Sequence, residues 1–252
     1  MLTRPRTVLA LAVLLVALPL FAQQQSQPVK NAADDAGFVS LFDGKTLDGW
    51  EYDPTYWRAE NGELIGEIVA GKEITENTFI TYRGGPDKGV MKDFEIKMEY
   101  KISDKGNSGV NYRSAMVEGK KYVLKGYQFD IDGQLKNAAP TRHTGNNYEE
   151  KGRTFMALRG QITRATEGGN RQVIGTLGDY NELAKLIKND DWNFLHIIAR
   201  GNTLIQILNG QVVSILIDDD PANRAAEGLM AMQVHVGGPM KVEYRNIRMR
   251  KL

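Results

Sequence analysis

Residues 94–102, Phe94-Glu95-Ile96-Lys97-Met98-Glu99-Tyr100-Lys101-Ile102, alternate without a break between apolar and charged side chains. A period of two sends the apolar five to one face of an extended chain and the charged four to the other, the pattern of a strand with one dry and one wet face. The charged four, Glu95, Lys97, Glu99 and Lys101, read as plain surface. The same period recurs outward from this stretch. Val110 and Tyr112 alternate with Asn111 and Arg113, and Tyr127, Phe129 and Ile131 with Gln128, Asp130 and Asp132. Met230, Met232, Val234 and Val236 alternate with Ala231, Gln233 and His235. Val242, Tyr244, Ile247 and Met249 follow, with an irregularity expected at Arg245-Asn246.

Turn chemistry punctuates these runs. Asn209-Gly210 and Asn61-Gly62 each separate two strand-like segments, a strong hairpin signal. Helical spacing shows only at 179–188, where Asp179 is positioned as a cap before Leu183, Leu186 and Ile187, and at 221–227. Many short strands, no internal repeat and no long linker predict an all-β, two-sheet sandwich with one or two short helices. Such a fold offers the outer face of one sheet to ligands.

The 252 residues carry 32 Lys+Arg against 31 Asp+Glu, a formal charge of +1. This balance supplies no basic stripe for nucleic acid. The lack of cysteine excludes disulfides, thiolate metal sites, a cysteine nucleophile and a lipid anchor on cysteine. The 26 glycines fit a turn-rich chain. Arg4 and Arg6 precede an apolar run from Val8 to Leu20, too short for a membrane span of about 20 residues, and Ala22 and a polar stretch follow. This is the pattern of a secretory signal peptide. The expected organisation is a signal peptide over 1–22, a flexible leader over 23–36 and a single domain over 37–252. The expected location is periplasmic or extracellular, without membrane attachment after cleavage. Removing residues 1–22 moves the formal charge to −1, which suits a neutral ligand such as a sugar better than a polyanion.

Candidate site residues stand out where strand faces carry the wrong side chains. Gln128, Asp130 and Asp132 are poor β-formers in a row on one face, though Asp132-Gly133 also reads as a turn. Residues that break local rules mark sites more often than not. Gln233 and His235 form a second such pair, and histidine exchanges protons near neutral pH. His143, before Thr144-Gly145, is placed to reach a site, whereas His196 reads as structural. Tyr148, Glu149 and Arg153 lie in a loop region, while Glu150 and Lys151 read as a solvated charge run. Asn107, Asn111 and Arg113 complete the set. Asp130 and Asp132 are candidate ligands for a divalent cation, the one cofactor the chemistry leaves open, although no spacing specifies a metal.

The sequence also resembles the 3-keto-disaccharide hydrolase family. The resemblance begins at Phe38-Val39-Ser40-Leu41-Phe42-Asp43-Gly44-Lys45-Thr46-Leu47-Asp48-Gly49-Trp50. It continues through Asp93-Phe94-Glu95, Asn107-Ser108-Gly109-Val110 with Arg113, and Gly126-Tyr127-Gln128-Phe129-Asp130-Ile131-Asp132. Thr144-Gly145, Tyr148-Glu149, Arg153, Asp191-Trp192-Asn193 and Leu208-Asn209-Gly210 come next, then Gln233-Val234-His235 and Tyr244-Arg245-Asn246-Ile247. Each motif is short; their number and order carry the likeness over about 37–252. The resemblance implies a concanavalin-like jelly roll and action on glycosides, or oligosaccharides, whose sugar has been oxidised to a 3-ketone.

A C3 ketone acidifies the C2 proton. Its removal gives an enolate that can expel the C1 substituent, after which water adds. Such a route needs a base, a group to stabilise the enolate and an acid for the leaving group. His235 and Glu149 are candidate bases, with Asp130 as a further catalytic carboxyl. Arg113, Arg153 or a metal would stabilise the enolate. Asn107, Asn111, Gln128, Tyr148 and Gln233 would hold the sugar. Two other readings stand beside this one. A conventional hydrolase would use two carboxylates at set spacing. A non-catalytic, lectin-like module would stack sugar on Trp57, Tyr122 or Tyr148, with Trp50 and Trp192 in the core.

Overall fold

The alternating stretch forms one strand, Phe94–Ile102, at the heart of a sandwich. The computed structural model describes residues 35–133 and 143–252. The expected signal peptide, and the expected leader up to residue 34, lie outside the described residues. Gly37–Leu252 forms one unit.

In chain order the strands are β1 (Val39–Ser40), β2 (Trp50–Glu51), β3 (Trp57–Glu60), β4 (Glu63–Ile68), β5 (Thr78–Tyr82), β6 (Phe94–Ile102), β7 (Asn107–Met116), β8 (Leu124–Asp132) and β9 (Asn147–Glu150). They continue as β10 (Thr154–Ala157), β11 (Gln161–Thr166), β12 (Asn170–Thr176), β13 (Asn193–Arg200), β14 (Thr203–Leu208), β15 (Gln211–Asp218), β16 (Leu229–Val234) and β17 (Met240–Lys251). One sheet runs β12-β11-β15-β14-β13-β6-β17-β4-β3, with β1 paired to β17; the other runs β10-β9-β8-β7-β16-β5-β2. The β11–β15 pair is parallel, and the other pairs in both sheets are antiparallel. This is the all-β two-sheet architecture expected from the alternation.

The inner faces close on each other. Ile96, Met98 and Tyr100 of β6 share one apolar core with Tyr112 of β7, Tyr127 and Phe129 of β8, and Met230 and Met232 of β16. At roughly 25 cal/mol per Å² of apolar surface removed from water, this burial is the main stabilising term in a chain without disulfides. Both Asn-Gly pairs turn hairpins, with positive φ at Asn61 and Gly62 and at Asn209 and Gly210. The irregularity at Arg245-Asn246 is a break in the β17–β6 register.

The helical expectations need correction in extent. The helix α1 covers only Tyr180–Ala184, although Asp179 caps it as expected by accepting from the Asn181 and Glu182 amides. Side chains end it early: Asn209 Nδ2 donates to the Leu186 carbonyl, and Asn193 bonds both the amide and the carbonyl of Lys188. The 221–227 stretch is not a helix but a turn held by Asp220, which accepts from the Ala222 amide and Asn223 Nδ2.

The outer face of the larger sheet is less plain than its charges suggested. Glu95 pairs with Arg250 and His196, Glu99 with Arg245, and Lys101 with Glu243. Trp192 is not a core residue. It is half-buried on this face, with the Arg245 guanidinium 3.9 Å and the Lys101 ammonium 4.9 Å from its ring centre. Trp50 is in the core as expected, its indole donating to the Leu41 carbonyl.

Candidate functional site

The register of the smaller sheet gathers polar side chains on its outer face. Pairing of β7 with β8 sets Asn107 opposite Asp132, Gly109 opposite Asp130 and Asn111 opposite Gln128. Pairing of β8 with β9 adds Tyr148 opposite Gln128 and Glu150 opposite Gly126. Ala231 of β16 lies opposite Asn111, so the period of two puts Gln233 on this face as well. The alternate residues Tyr127 and Phe129 point the other way, into the core.

These side chains bond to one another in a chain. Gln128 Nε2 donates to Asp130 Oδ1 at 2.8 Å. Gln233 Nε2 lies 3.4 Å from Gln128 Oε1 and 3.3 Å from Glu150 Oε2. Asn77, just before β5, donates from Nδ2 to Glu150 Oε1 at 3.0 Å and accepts the Val236 amide at 2.8 Å. Gln128, Asp130, Glu150 and Gln233 are all buried. Gly109 makes the packing possible, because a Cβ there would stand 2.4 Å from Gln128 Cδ. From the core side, Gln206 of β14 donates to the Gln128 carbonyl and to the Tyr112 hydroxyl, which also accepts from Asn147. A buried polar network thus holds β8 from behind while its outward side chains form the candidate site.

Electrostatics single out Asp130. Burial pushes its carboxyl well above the usual carboxylate range, and the neighbouring Glu150 and Asp132 push in the same direction; the Gln128 hydrogen bond offsets only part of this. Among the described residues, no lysine or arginine pairs with Asp130 or Glu150. Asp130 therefore holds a proton at pH values where an ordinary aspartate is ionised. The Tyr148 hydroxyl is also raised, first by burial and then by Glu150 and Asp130, so it stays a donor beside the carboxyls.

The structure brings together Gln128, Asp130, Asp132, Tyr148 and Gln233 on one face, with Asn107 and Asn111 alongside. The backbone amide of His143 lies 3.4 Å from Asp132 Oδ2. Asn111 is buried, and among the described residues its Oδ1 meets no hydrogen-bond donor. His235 lies one residue past β16, where its Nδ1 is 2.8 Å from the Val236 carbonyl. A carbonyl only accepts, so this contact places the proton on Nδ1 and leaves Nε2 as the basic nitrogen.

Four residues, Glu149, Arg153, Arg113 and Glu150, are placed otherwise than expected. Glu149 alternates to the opposite side from Tyr148 and Glu150. There it takes the Arg153 guanidinium at 2.5 Å. Arg153 also reaches Asp218 Oδ2 at 2.6 Å, and the Tyr127 hydroxyl donates to the same oxygen. Burial disfavours the Arg153 charge, but Asp218 and Glu149 more than offset it. Glu149 and Arg153 thus form a strut between the sheets, away from the polar face. Arg113 is displaced by a bulge between Tyr112 and Ala115, where its φ is 45°. Its guanidinium is spent on the Lys92 and Gly201 carbonyls and Asp93. Glu150 is the reverse case: it is buried at the centre of the face, not part of a solvated run. Its signal in the sequence was its place two residues after Tyr148. Asn77 carried no such signal, since it lies outside any alternating run. Of the aromatics proposed to stack a sugar, Trp57 is fully buried.

A cation at Asp130 and Asp132 would require both carboxyls ionised, against the direction in which burial drives Asp130. Among the described residues, no group of three or more His, Asp or Glu side chains is arranged to hold a metal ion.

Solved structures share this two-sheet fold. A putative glycosyl hydrolase from Parabacteroides distasonis ATCC 8503 aligns over 85% of this chain and 99% of its own, with 20% identity and a TM-score of 0.55. A Bacillus subtilis protein with a galectin-like fold covers 89% of this chain and 93% of its own, with 11% identity and a TM-score of 0.52. The chain belongs to the family of 3-keto-alpha-glucoside-1,2-lyase-like domains, whose model matches residues 37–250. It is also similar to a 3-keto-disaccharide hydrolase of Bacteroides thetaiotaomicron, 33% identical over 95 residues; this match covers 34% of the chain and 31% of that protein's length.

Proposed function

We propose that the protein cleaves glycosides bearing a 3-ketone by elimination and hydration, with the outer face of the smaller sheet as its active site. The observation that carries this reading is Asp130, a buried carboxyl that burial drives toward its neutral form, hydrogen-bonded to Gln128 beside Gln233 and Glu150, within a family described by 3-keto-glucoside lyase chemistry.

In this reading the Nε2 of His235 removes the C2 proton. The C2–H electrons form the enolate of the 3-ketone, and the C1–O bond breaks. The departing oxygen takes the proton of Asp130. The Tyr148 hydroxyl and the Gln128 and Gln233 carboxamides hold the sugar and the enolate oxygen. Water then adds across C1 and C2: C1 gains hydroxyl, C2 regains a proton from His235, and the proton released by the water returns to Asp130. The neutral substrate suits a face on which, among the described residues, no lysine or arginine pairs with Asp130 or Glu150.

The test is incubation with synthetic 3-keto-glucosides in deuterated water, with and without chelator. Aglycone release with deuterium at C2 of the product sugar is expected. Release without deuterium would replace elimination by direct displacement, and equal release from unoxidised glycosides would favour the two-carboxylate route. Binding without turnover would make the protein lectin-like. Loss of activity with chelator would add a cation to the site.

A further inference from the structure

Three features converge next to the polar face. Phe155 of β10 is the only exposed aromatic side chain among the described residues. The residue before it, Thr154, has a φ of 68°. A β-branched residue rarely adopts this left-handed conformation, and strain of this kind concentrates at functional sites. The third feature is a cluster of rings: His143 stacks on Phe155 at 5.1 Å and 27°, and Tyr148 meets it edge-on at 5.1 Å. Arg171 donates to the carbonyls of Arg153 and Phe155, which fixes the backbone that presents the ring.

The register relates this cluster to the reacting centre. Phe155 is the partner of Tyr148, and Tyr148 is the partner of Gln128. The three stand in one row across β10, β9 and β8, so Phe155 is two strand spacings, about 10 Å, from Gln128. That separation suits the neighbouring ring of a disaccharide whose oxidised ring lies over Gln128 and Asp130. An isolated exposed apolar side chain needs no explanation. One that is strained into place, backed by two further rings and in register with buried acid chemistry fits a ligand site, where flat apolar surface lies beside a few converging polar groups.

We infer that Phe155, stacked with His143 and braced by Tyr148, is the platform on which the sugar ring of the leaving group stacks. The inference rests on the reading of the polar face as a 3-keto-glycoside site. Phe155 is a binding residue and takes no part in proton transfer.

The experiment compares Phe155→Ala and Phe155→Trp with the unaltered protein on two substrates, a 3-keto-disaccharide and the corresponding methyl 3-keto-glucoside. The alanine variant should raise KM for the disaccharide about five- to ten-fold, the scale of one lost ring contact. KM for the methyl glycoside should stay within about two-fold, kcat should hold on both, and the tryptophan variant should restore the disaccharide KM. Equal effects on the two substrates, or no effect on either, would overturn the platform. If the unaltered protein turns over neither substrate, the reading of the function has failed, and calorimetric binding of the unoxidised disaccharide decides the platform separately. Binding that Phe155→Ala abolishes supports it; binding unchanged by that variant, or no binding at all, overturns it.

Discussion

Gln128 donates from Nε2 to Asp130 Oδ1 at 2.8 Å, between residues two apart on the same face of β8. The bond favours the ionised carboxyl, yet burial and the nearby Glu150 and Asp132 outweigh it. Asp130 therefore binds its proton more tightly in the folded chain than in the unfolded one. Below the unfolded value of about 3.9 both states are protonated, and folding bears no charge cost. As pH rises from there through the higher folded value, the unfolded state ionises first and stability falls. Asp130→Asn should leave the melting temperature nearly unchanged at pH 3 and raise it progressively toward neutral pH. The same variant should lose about 10²–10⁴-fold in kcat on 3-keto-glycosides. Thermal melts at several pH values and turnover on one preparation check both.

His235 offers a contrast. Its bond to Val236 is local, so His235→Ala should fold with an unchanged melting temperature and lose about 10²–10⁴-fold in turnover. Full activity in this variant on a 3-keto-glucoside would remove His235 from the mechanism.

Arg153→Ala distinguishes strut from substrate contact. It leaves Asp218 and Glu149 without their cation, and Asp218 is fully buried. Breaking such a pair costs about 3–5 kcal/mol. Denaturant unfolding should show a loss of that order. A stable variant with only a raised KM would return Arg153 to the substrate.

Gly109→Ala tests the cradle beneath Gln128. The added methyl group must displace the Gln128 side chain, which it would approach to 2.4 Å. Overpacking of this kind costs about 1–3 kcal/mol. Turnover should fall with Gln128 dislodged from Asp130, whereas Gly109→Ala combined with Gln128→Ala should recover stability. If the double variant is no more stable than Gly109→Ala, the clash lies elsewhere.

The elements legible in the sequence were those whose side chains report on burial directly. The alternation at 94–102 and the two Asn-Gly turns needed no knowledge of partners. Gln128, Asp130 and Gln233 were visible because polar residues interrupt otherwise apolar strands. The residues misread depend on long-range geometry. Arg113 leaves its expected face because of a bulge whose register break involves β16, far along the chain. Glu149 and Glu150 differ only in parity, and β9 is too short for its alternation to say which carboxyl meets the core. Asn77 acts through residues 73 and 159 positions away, at Glu150 and Val236, and no local pattern encodes that. The opening signature from Phe38 to Trp50 proved architectural: Leu41 binds the Ile247 carbonyl through its amide, and Trp50 binds Leu41.

The position of β17 sets an order on the chain's birth. This strand, residues 240–251, lies between β6 and β4 and also carries β1. Until β17 has been made, β1 has no partner in the larger sheet, β4 has only β3 and β6 has only β13. The nascent polypeptide must keep those apolar faces from pairing with one another or with other chains in the meantime. The twelve residues of β17 thus act as a clasp that completes the larger sheet only after the rest of this domain has been made.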